Sequence, residues 1–287
     1  MNWRIERKGP VTTTLRVEAV RAKGWEQWAL LTGDRHLDNP HSDRKLQEHH
    51  LKQAVDRGAF VIDVGDTFDA MQGKSDKRSS KSDLMARHKA GNYLNLLVKD
   101  GAEFFAPYAN NLALMGKGNH ETGVEKAIEY DLLDGLLFAL SGKGTPIMNG
   151  GYRGWIRILF EAGTVRQGIN LYYHHGYGGG GPVTKDTIQA TRKAVYLPDA
   201  TIVVSGHTHD QWWFPVERVR LLESGREIAD TQHHIKVPSY KDEFTEISGG
   251  FHHEKGRPPK PKGAFWARFY YSPRTERIEV EFIAAEK

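Results

Sequence analysis

The sequence predicts an α/β protein. Two observations predict this class: apolar runs of strand length alternate with segments of helical spacing, and short polar motifs directly follow most of the apolar runs. A length of 287 residues, with 39% hydrophobic and 26% charged residues, suits one large globular domain. We therefore expect residues 1–287 to form a single domain, with 210–262 as loops that cover the substrate and 263–287 as closing strands.

Predicted strands show either alternation or a short apolar run between turn residues. Residues 12–20 alternate, whereas 28–32 are apolar almost throughout, which is typical of a strand buried on both faces. The predicted strands are 12–20, 28–32, 59–64, 111–115, 153–160, 169–174, 200–205, 264–271 and 277–283. We expect the last two to pair as a hairpin.

Predicted helices carry apolar residues three and four positions apart. In 43–57, Leu46, Leu51 and Val55 keep this spacing. The other predicted helices are 83–99, 125–140 and 184–196.

Predicted loops are the polar, basic stretch 72–82 and the Pro- and Lys-rich stretch 255–262. The glycine-rich run 178–181 is interpreted either as backbone that approaches an anion or as a flexible connector.

Cysteine is absent, which excludes disulfides, thiolate metal ligands and cysteine nucleophiles. Any metal must therefore be bound through nitrogen and oxygen atoms. The sequence has no run of 18 apolar residues, and its first residues lack the apolar core of a signal peptide. We accordingly expect no membrane span and a cytoplasmic location.

The chain is mildly basic, with a formal net charge of +4 and a pI near 9.0. This excess indicates an anionic substrate, although most basic residues are expected on the ordinary solvated surface. Basic residues cluster in 74–81 and 255–262. Because a nucleic-acid surface requires such clustering, nucleic acid is one candidate partner. The sequence identifies no protein partner.

Five short polar motifs follow one another along the chain, and their side chains can all bind metal. They are Asp34-Arg35-His36, Gly65-Asp66-Thr67-Phe68-Asp69, Gly118-Asn119-His120-Glu121, His174-His175-Gly176 and Gly206-His207-Thr208-His209. Each motif alone has an ordinary structural explanation, such as a turn, a helix cap or a core histidine. Their occurrence together at successive strand exits predicts two divalent metals that share a carboxylate.

Two of the motifs place polar side chains two residues apart at the end of a strand. Side chains at i and i+2 point to the same face of an extended chain, so Asp34 and His36 can bind one metal ion. A turn aspartate with a surface histidine is the alternative for this pair. His207 and His209 have the same spacing but need not share one ion, because the chain turns there.

The second and third motifs supply the candidate bridging and catalytic groups. Asp66 follows a glycine at the end of an apolar run, and its two oxygens can bridge two metals; helix capping is the alternative. We expect Asp69 to contact the ligands rather than a metal. Asn119 offers a carbonyl oxygen, and His120 can protonate a leaving group while Glu121 accepts its second N–H. The alternative for this motif is a tight Gly-Asn turn.

The remaining motif residues have less certain roles in the sequence alone. We predict His175 as a ligand because it directly precedes Gly176, and His174 is the reserve candidate. Arg35 could reach a phosphate oxygen, but on a strand it points away from its neighbours, which favours a structural salt bridge. Tyr177 follows the same histidine motif and is predicted to line the pocket.

Three aromatic residues, at 212–214, directly follow the last motif. They could stack a nucleic-acid base. A sheet-closing aromatic cluster is the favoured interpretation, because aromatic side chains suit strands. The histidine pairs at 233–234 and 252–253 are expected on the surface or in loops.

The ordered motifs resemble those of the calcineurin-like metallophosphoesterase superfamily: Asp-x-His, Gly-Asp-x-x-Asp, Gly-Asn-His-Asp/Glu, His and Gly-His-x-His. The resemblance covers Asp34 to His209 and implies a four-layer αββα sandwich of two mixed β-sheets flanked by helices. It also implies two divalent metal ions, with manganese favoured and iron, zinc, nickel or magnesium as alternatives. In that scheme the first metal is held by Asp34, His36, Asp66 and His209, and the second by Asp66, Asn119, His175 and His207.

The residues within the second motif indicate a branch of this superfamily. The Gly-Asp-Thr-Phe-Asp motif lacks the Asp-Arg-Gly continuation of the serine/threonine protein phosphatases and the tyrosine that purple acid phosphatases place after Gly-Asp. It looks more like the Gly-Asp-x-Phe-Asp of DNA-repair exonucleases, and it is also similar to metallophosphoesterases encoded by phages. Substrate specificity depends on the loops rather than on the fold.

The resemblance implies a binuclear metal-dependent phosphoesterase, which hydrolyses its substrate by attack of metal-activated hydroxide on phosphorus. His120 and Asp66 are then the catalytic residues. The first hypothesis is a phosphodiesterase, such as a nuclease, supported by Phe68-Asp69, the basic loops and the aromatic run. The alternative is a small-molecule phosphomonoesterase or pyrophosphatase. A non-catalytic scaffold on the same fold is the third hypothesis.

Overall fold

A computed structural model describes residues 1–71, 84–89, 91–179, 181, 183–242, 244, 256 and 258–286. In this part of the chain the strands are β1 (Trp3–Gly9), β2 (Thr12–Glu18), β3 (Glu26–Thr32), β4 (Phe60–Asp63), β5 (Leu112–Gly116), β6 (Met148–Gly151), β7 (Arg153–Ala162), β8 (Val165–His174), β9 (Ile202–Ser205), β10 (Trp212–Leu221), β11 (Glu227–Lys236), β12 (Phe265–Ser272) and β13 (Arg277–Ala284). The α-helices are α1 (Arg44–Asp56), α2 (Tyr93–Phe105), α3 (Asn119–Ile128), α4 (Leu132–Leu140) and α5 (Thr187–Tyr196). Short 3₁₀ helices lie at Ala86–His88 and Ala106–Asn111.

The strands form two mixed sheets, which confirms the predicted fold class. One sheet has seven strands in the order β1-β2-β7-β8-β9-β11-β10, and the other has six in the order β13-β12-β3-β4-β5-β6. Strands β3, β4, β5 and β6 run parallel to one another. Strands β8, β9 and β11 do the same in the larger sheet. The carboxyl ends of these parallel strands therefore meet at one edge of each sheet.

The two sheets pack face to face between layers of helices. Inward side chains such as Ile156 of one sheet and Ile62 of the other form the central core. Val61 points the opposite way and packs with side chains of α1, α2 and α4, because successive strand residues face opposite sides. On the far side, Val203 of the larger sheet packs against Leu197, directly after α5. Each fully buried aliphatic side chain of this kind contributes about 1.5–3 kcal/mol to folding.

Two predicted helices differ from the structure. The prediction for 83–99 is wrong at its start, because the described residues 84–89 contain a 3₁₀ turn at Ala86–His88 and α2 begins at Tyr93. The predicted helix 125–140 is two helices. Glu129 ends the first of these in a left-handed conformation, and the side chain of Asp131 accepts the backbone N–H of Asp134 to begin the next. Strands β1 and β6 were not predicted.

The segment 210–262, expected to form loops, contains the long hairpin of β10 and β11 instead. Strand β11 pairs with β9 over residues 233–236, so the hairpin extends the larger sheet. Trp213 lies 5.9 Å from both Phe282 and His233, measured between ring centroids, as the sheet-closing interpretation of the aromatic run requires.

The predicted loop 72–82, the basic cluster 74–81 and the histidine pair 252–253 lie outside the described residues. Among the helices that the structure describes, none has the length and apolar character required to cross a membrane.

Candidate metal centre

The five polar motifs lie at the carboxyl ends of β3, β4, β5, β8 and β9. Backbone hydrogen bonds join neighbouring motifs within each sheet: the Asp34 N–H donates to the Gly65 carbonyl, and the Gly206 N–H donates to the His175 carbonyl, both at 2.8 Å. A third hydrogen bond crosses between the sheets, from the His207 N–H to Asp34 Oδ2 at 2.8 Å. Motifs far apart in sequence therefore meet at one rim of the sandwich.

The first group of potential ligands consists of Asp34, His36 and His209, whose nearest polar atoms all lie within 4.8 Å of one another. His36 Nε2 lies 3.3 Å from His209 Nε2. His209 Nε2 lies 3.6 Å from Asp34 Oδ1. Three donors at this spacing surround a volume that a single cation can fill.

The second group consists of Asp66, Asn119, His175 and His207. His175 Nε2 lies 3.1 Å from both Asp66 Oδ2 and Asn119 Oδ1. His207 Nδ1 lies 2.7 Å from the same Asn119 oxygen. Asp66 also lies next to the first group, because its backbone carbonyl accepts the N–H of His36 at 3.1 Å.

The structure distinguishes the two adjacent histidines of the fourth motif. His175 is fully buried and faces the second group. His174 points away: its Nδ1 accepts the backbone N–H of Gly176, and its ring packs edge-on against Tyr152 and Tyr177. His175 therefore lies in the second group, and His174 lies outside it.

Five of the seven predicted ligands have a left-handed backbone, which is uncommon for residues other than glycine. They are Asp34 (φ +48°), His36 (+45°), Asp66 (+55°), His207 (+78°) and His209 (+56°). The extended-chain argument for Asp34 and His36 is therefore wrong, since both residues have left-handed backbones, although their side chains lie in one group as expected. The turn at 207–209 also sends its two imidazoles into different groups. Strained backbone of this kind persists where the surrounding structure fixes it and is concentrated at functional sites.

Glycines let the carboxylates approach the backbone closely. A Cβ built on Gly118 would overlap Asp66 Oδ1, and a Cβ built on Gly206 would overlap Asp34 Oδ2. These two motif positions must therefore lack a side chain if the carboxylates are to keep their places.

Three histidines of the two groups face an acceptor with their second ring nitrogen. His36 Nδ1 lies 2.9 Å from Asp69 Oδ1, His175 Nδ1 lies 3.1 Å from the Val64 carbonyl, and His207 Nε2 lies 2.8 Å from the Gly178 carbonyl. When the other nitrogen of His175 or His207 binds a cation, the nitrogen that faces the backbone carbonyl carries the proton and donates it to that carbonyl.

The electrostatics of the centre also favour cations. Burial raises the pKa of Asp34 to about 6. Burial opposes protonation of His175, but the Asp66 carboxylate outweighs it and raises the pKa of His175 to about 9. A divalent cation can replace this proton. The donors are all nitrogen and oxygen atoms, and Asp34 Oδ1 is a buried acceptor without a hydrogen bond among the described residues. Divalent cations fit these residues.

Asp69 connects the first group to the candidate acid His120. Its carboxylate contacts His36, and its backbone carbonyl oxygen lies 2.5 Å from His120 Nδ1. The expectation that Glu121 orients His120 is wrong. Glu121 instead accepts backbone N–H groups of Asp66, Phe68 and Gly118, as the N3 residue of a capping box does. Burial and the nearby Asp66 raise the pKa of Glu121 to about 8.

Two polar residues near Asp69 were not singled out from the sequence. Asn39 Nδ2 donates to Asp69 Oδ2 at 2.6 Å, and Lys241 Nζ lies 3.5 Å from Asp69 Oδ1. Neither residue belongs to a motif. Lys241 follows β11 in an irregular segment, where no sequence spacing indicates its position.

The last two predicted residues lie beside the centre. Arg35 is fully buried, and its Nε donates to Asp63 Oδ2 at 2.5 Å. Its guanidinium lies 5.4 Å from the ring centroids of Phe105 and Tyr240, so it occupies the structural position rather than the phosphate-contacting one. Tyr177 is half-exposed, and its hydroxyl donates to Gln189 Oε1 at 2.8 Å.

No protein-family model matches the sequence, and no curated protein matches it either. Among solved structures, the chain is similar to a predicted phosphoesterase from Streptococcus pneumoniae, with 11% identity and a TM-score of 0.33 over 91% of this chain and 99% of that one. It is similar to Vps29 of Entamoeba histolytica complexed with zinc, with 8% identity and a TM-score of 0.35 over 90% and 99% of the two chains. It is also similar to GAP50, the anchor in the inner membrane complex of Plasmodium, with 13% identity and a TM-score of 0.47 over 90% and 84%. Similarities of this size do not identify an activity.

Proposed function

We propose that the chain is a binuclear metal-dependent phosphoesterase of the calcineurin-like metallophosphoesterase superfamily. The observation that carries the proposal is that two groups of potential ligands, the second of which contains Asp66, meet at one rim of the sandwich. Their order along the chain is that of the superfamily motifs. The nitrogen and oxygen donors and their hydrogen-bonded second nitrogens suit divalent ions such as manganese.

Seven residues would hold the metals: Asp34, His36, Asp66 and His209 the first, and Asp66, Asn119, His175 and His207 the second. Two divalent ions there would supply Lewis acidity toward the phosphoryl oxygens and a nucleophilic water at neutral pH. The remaining steps depend on side chains of the chain itself.

His120 is the proposed general acid. The Asp69 carbonyl accepts from Nδ1–H and so turns Nε2 toward the centre, where it lies 3.8 Å from Asp66 Oδ2. From this position a protonated Nε2 can donate its proton to the departing alkoxide. Such assistance typically accelerates a reaction by about 10²–10⁴.

Phosphodiester hydrolysis is the proposed reaction, and one observation favours a small phosphomonoester as a second candidate substrate. In the basic stretch 255–262, Lys260 forms an ion pair with Asp210. Lys262 lies 2.9 Å from Asp43 and 3.0 Å from Asp242. Carboxylates therefore neutralise two of the lysines that would otherwise attract a nucleic-acid backbone.

A substrate panel tests the proposal. The purified chain is assayed with a generic diester, a generic monoester, cyclic nucleotides, RNA, and single- and double-stranded DNA, each with manganese, nickel, magnesium or zinc. We expect metal-dependent hydrolysis of the diester that is lost in Asp66→Asn. Absence of hydrolysis with every metal would contradict the proposal. Hydrolysis of the monoester alone would favour the second candidate, and steep salt dependence on DNA would favour a nuclease.

A further inference from the structure

The connection between β8 and α5 reaches the metal centre at one end. The Gly178 carbonyl lies 2.8 Å from His207 Nε2. His207 Nδ1 lies 2.7 Å from Asn119 Oδ1 in the second ligand group. When Nδ1 binds a cation there, a neutral imidazole carries its one N–H on Nε2 and donates it to the Gly178 carbonyl. The Gly178 carbonyl thus favours the tautomer of His207 that binds a cation through Nδ1.

A buried ion pair fixes the other end of this connection. Asp186 Oδ2 lies 2.6 Å from Lys236 Nζ, and both side chains are almost completely buried. Lys236 ends β11 and pairs with Ser205, two residues before His207. The indole N–H of Trp212 donates to the Lys185 carbonyl at 2.8 Å and adds a second attachment. Lys236 therefore lies on the strand next to β9, which leads into His207, and Trp212 lies on the following strand, β10.

The stability of α5 does not account for this arrangement. Asp186 occupies the N-cap position, where an aspartate usually accepts a backbone N–H of the helix, yet its side chain makes no capping hydrogen bond. Lys185 and Asp186 both have left-handed backbones, with φ of +45° and +67°. Burial of the two charges and the strained backbones of the two residues each lower the stability of the folded chain. The Asp186 carboxylate instead pairs with Lys236, which indicates that it holds the connection between β8 and α5 in place.

We propose that Asp186 and Lys236 are positioning residues, which hold the Gly178 carbonyl on His207 and so fix the His207 tautomer for the second metal. The proposal rests on the proposed function in one respect, the assignment of His207 as a ligand. Outer contacts of this kind typically change metal affinity about 10–100-fold when they are removed.

Two measurements on matched variants test this role. Asp186→Asn keeps the size of the side chain but removes the charge, and Trp212→Phe removes the indole donor together with part of the ring. Asp230→Asn is the control, because Asp230 forms a comparable ion pair with Arg218, with Nε–Oδ1 of 2.8 Å, farther along β10 and β11. Zinc affinity is measured by calorimetry, and the His207 tautomer by ¹⁵N chemical shifts of the imidazole in metal-free and zinc-loaded protein.

We expect Asp186→Asn to weaken the second zinc-binding step at least about 10-fold, to leave the first step unchanged and to alter the His207 nitrogen shifts. Trp212→Phe should change the same two quantities in the same direction. If Asp186→Asn does not fold, Trp212→Phe alone provides the test. Unchanged His207 shifts in a folded variant, or an equal loss in Asp230→Asn, would overturn the proposal. Because the shifts are also read without metal, failure of metal binding in the unsubstituted chain would count against the proposed function and leave the positioning role measurable.

Discussion

Asp34 Oδ2 accepts the backbone N–H of His207 at 2.8 Å, across a separation of 173 residues. This hydrogen bond joins the ends of β3 and β9, which belong to different sheets. It turns Asp34 Oδ1 toward His209 Nε2, 3.6 Å away. The first ligand group therefore exists only when the two sheets are packed together, and metal binding should stabilise the folded chain.

The first prediction concerns the close contact at Gly206. In Gly206→Ala the new methyl group would overlap Asp34 Oδ2 and displace the carboxylate. We expect affinity for the first metal to fall about 10-fold or more, with the second less affected, as measured by calorimetry. Gly123→Ala is the matched control, because nothing lies within 4 Å of its added Cβ. Equal metal affinities in the two variants would contradict the geometry.

The second prediction separates chemistry from metal binding. His120→Ala should lower kcat by about 10²–10⁴ and retain both metals, because His120 contacts Asp69 and is not among the proposed ligands. Steady-state kinetics and metal analysis on the same preparation check this. His49→Ala, on the exposed side of α1, should change neither quantity. Loss of metal in His120→Ala would show that its role has been misassigned.

Some features of the ligand motifs could be predicted from the sequence and others could not. Order and strand exits predicted that the seven candidate ligands would meet, because parallel strands bring their carboxyl ends to one edge. The left-handed turns at His36 and His207 were not predictable, since tertiary contacts rather than residue preference hold them there. Lys241 was not predictable either, because its place beside Asp69 depends on how the irregular segment after β11 folds.

Helix boundaries were the weakest part of the predictions. Apolar spacing continues through 125–140, and the break depends on the local hydrogen bond from the Asp134 N–H to Asp131. The available signal for this break was Asp131, a polar residue directly before a new apolar run. At the start of α2 the available signal was Asn92, a favoured N-cap residue, although its side chain makes no capping hydrogen bond.

The third prediction concerns the buried pair of Arg35 and Asp63, whose side chains are 0% and 1% exposed. Arg35→Met leaves Asp63 buried without its cation, so we expect the free energy of unfolding to fall by about 3–5 kcal/mol. Chemical denaturation measures this. Lys52→Met, which removes an exposed helical ion pair with Glu48, is the control and should cost less than about 1 kcal/mol. A small effect of Arg35→Met would indicate that water reaches Asp63.

The fourth prediction uses the buried Lys193. Burial and the neighbouring Lys236 cation lower the pKa of Lys193 to about 8. In the unfolded chain the ordinary pKa is about 10.4, so between these values the unfolded state binds more protons and stability rises with pH. Lys193→Met removes the charge and this dependence. We expect the variant to have the higher Tm at pH 7, with a difference that shrinks from pH 8 to 10. A constant difference would contradict the charged, buried state of Lys193.

The most direct test of the central claim is anomalous diffraction from crystals of the chain grown with manganese. The account predicts two peaks about 3.5–4 Å apart on either side of the Asp66 carboxylate. One should contact Asp34, His36 and His209, and the other Asn119, His175 and His207. A single peak, no peak, or two peaks that do not share Asp66 would contradict it.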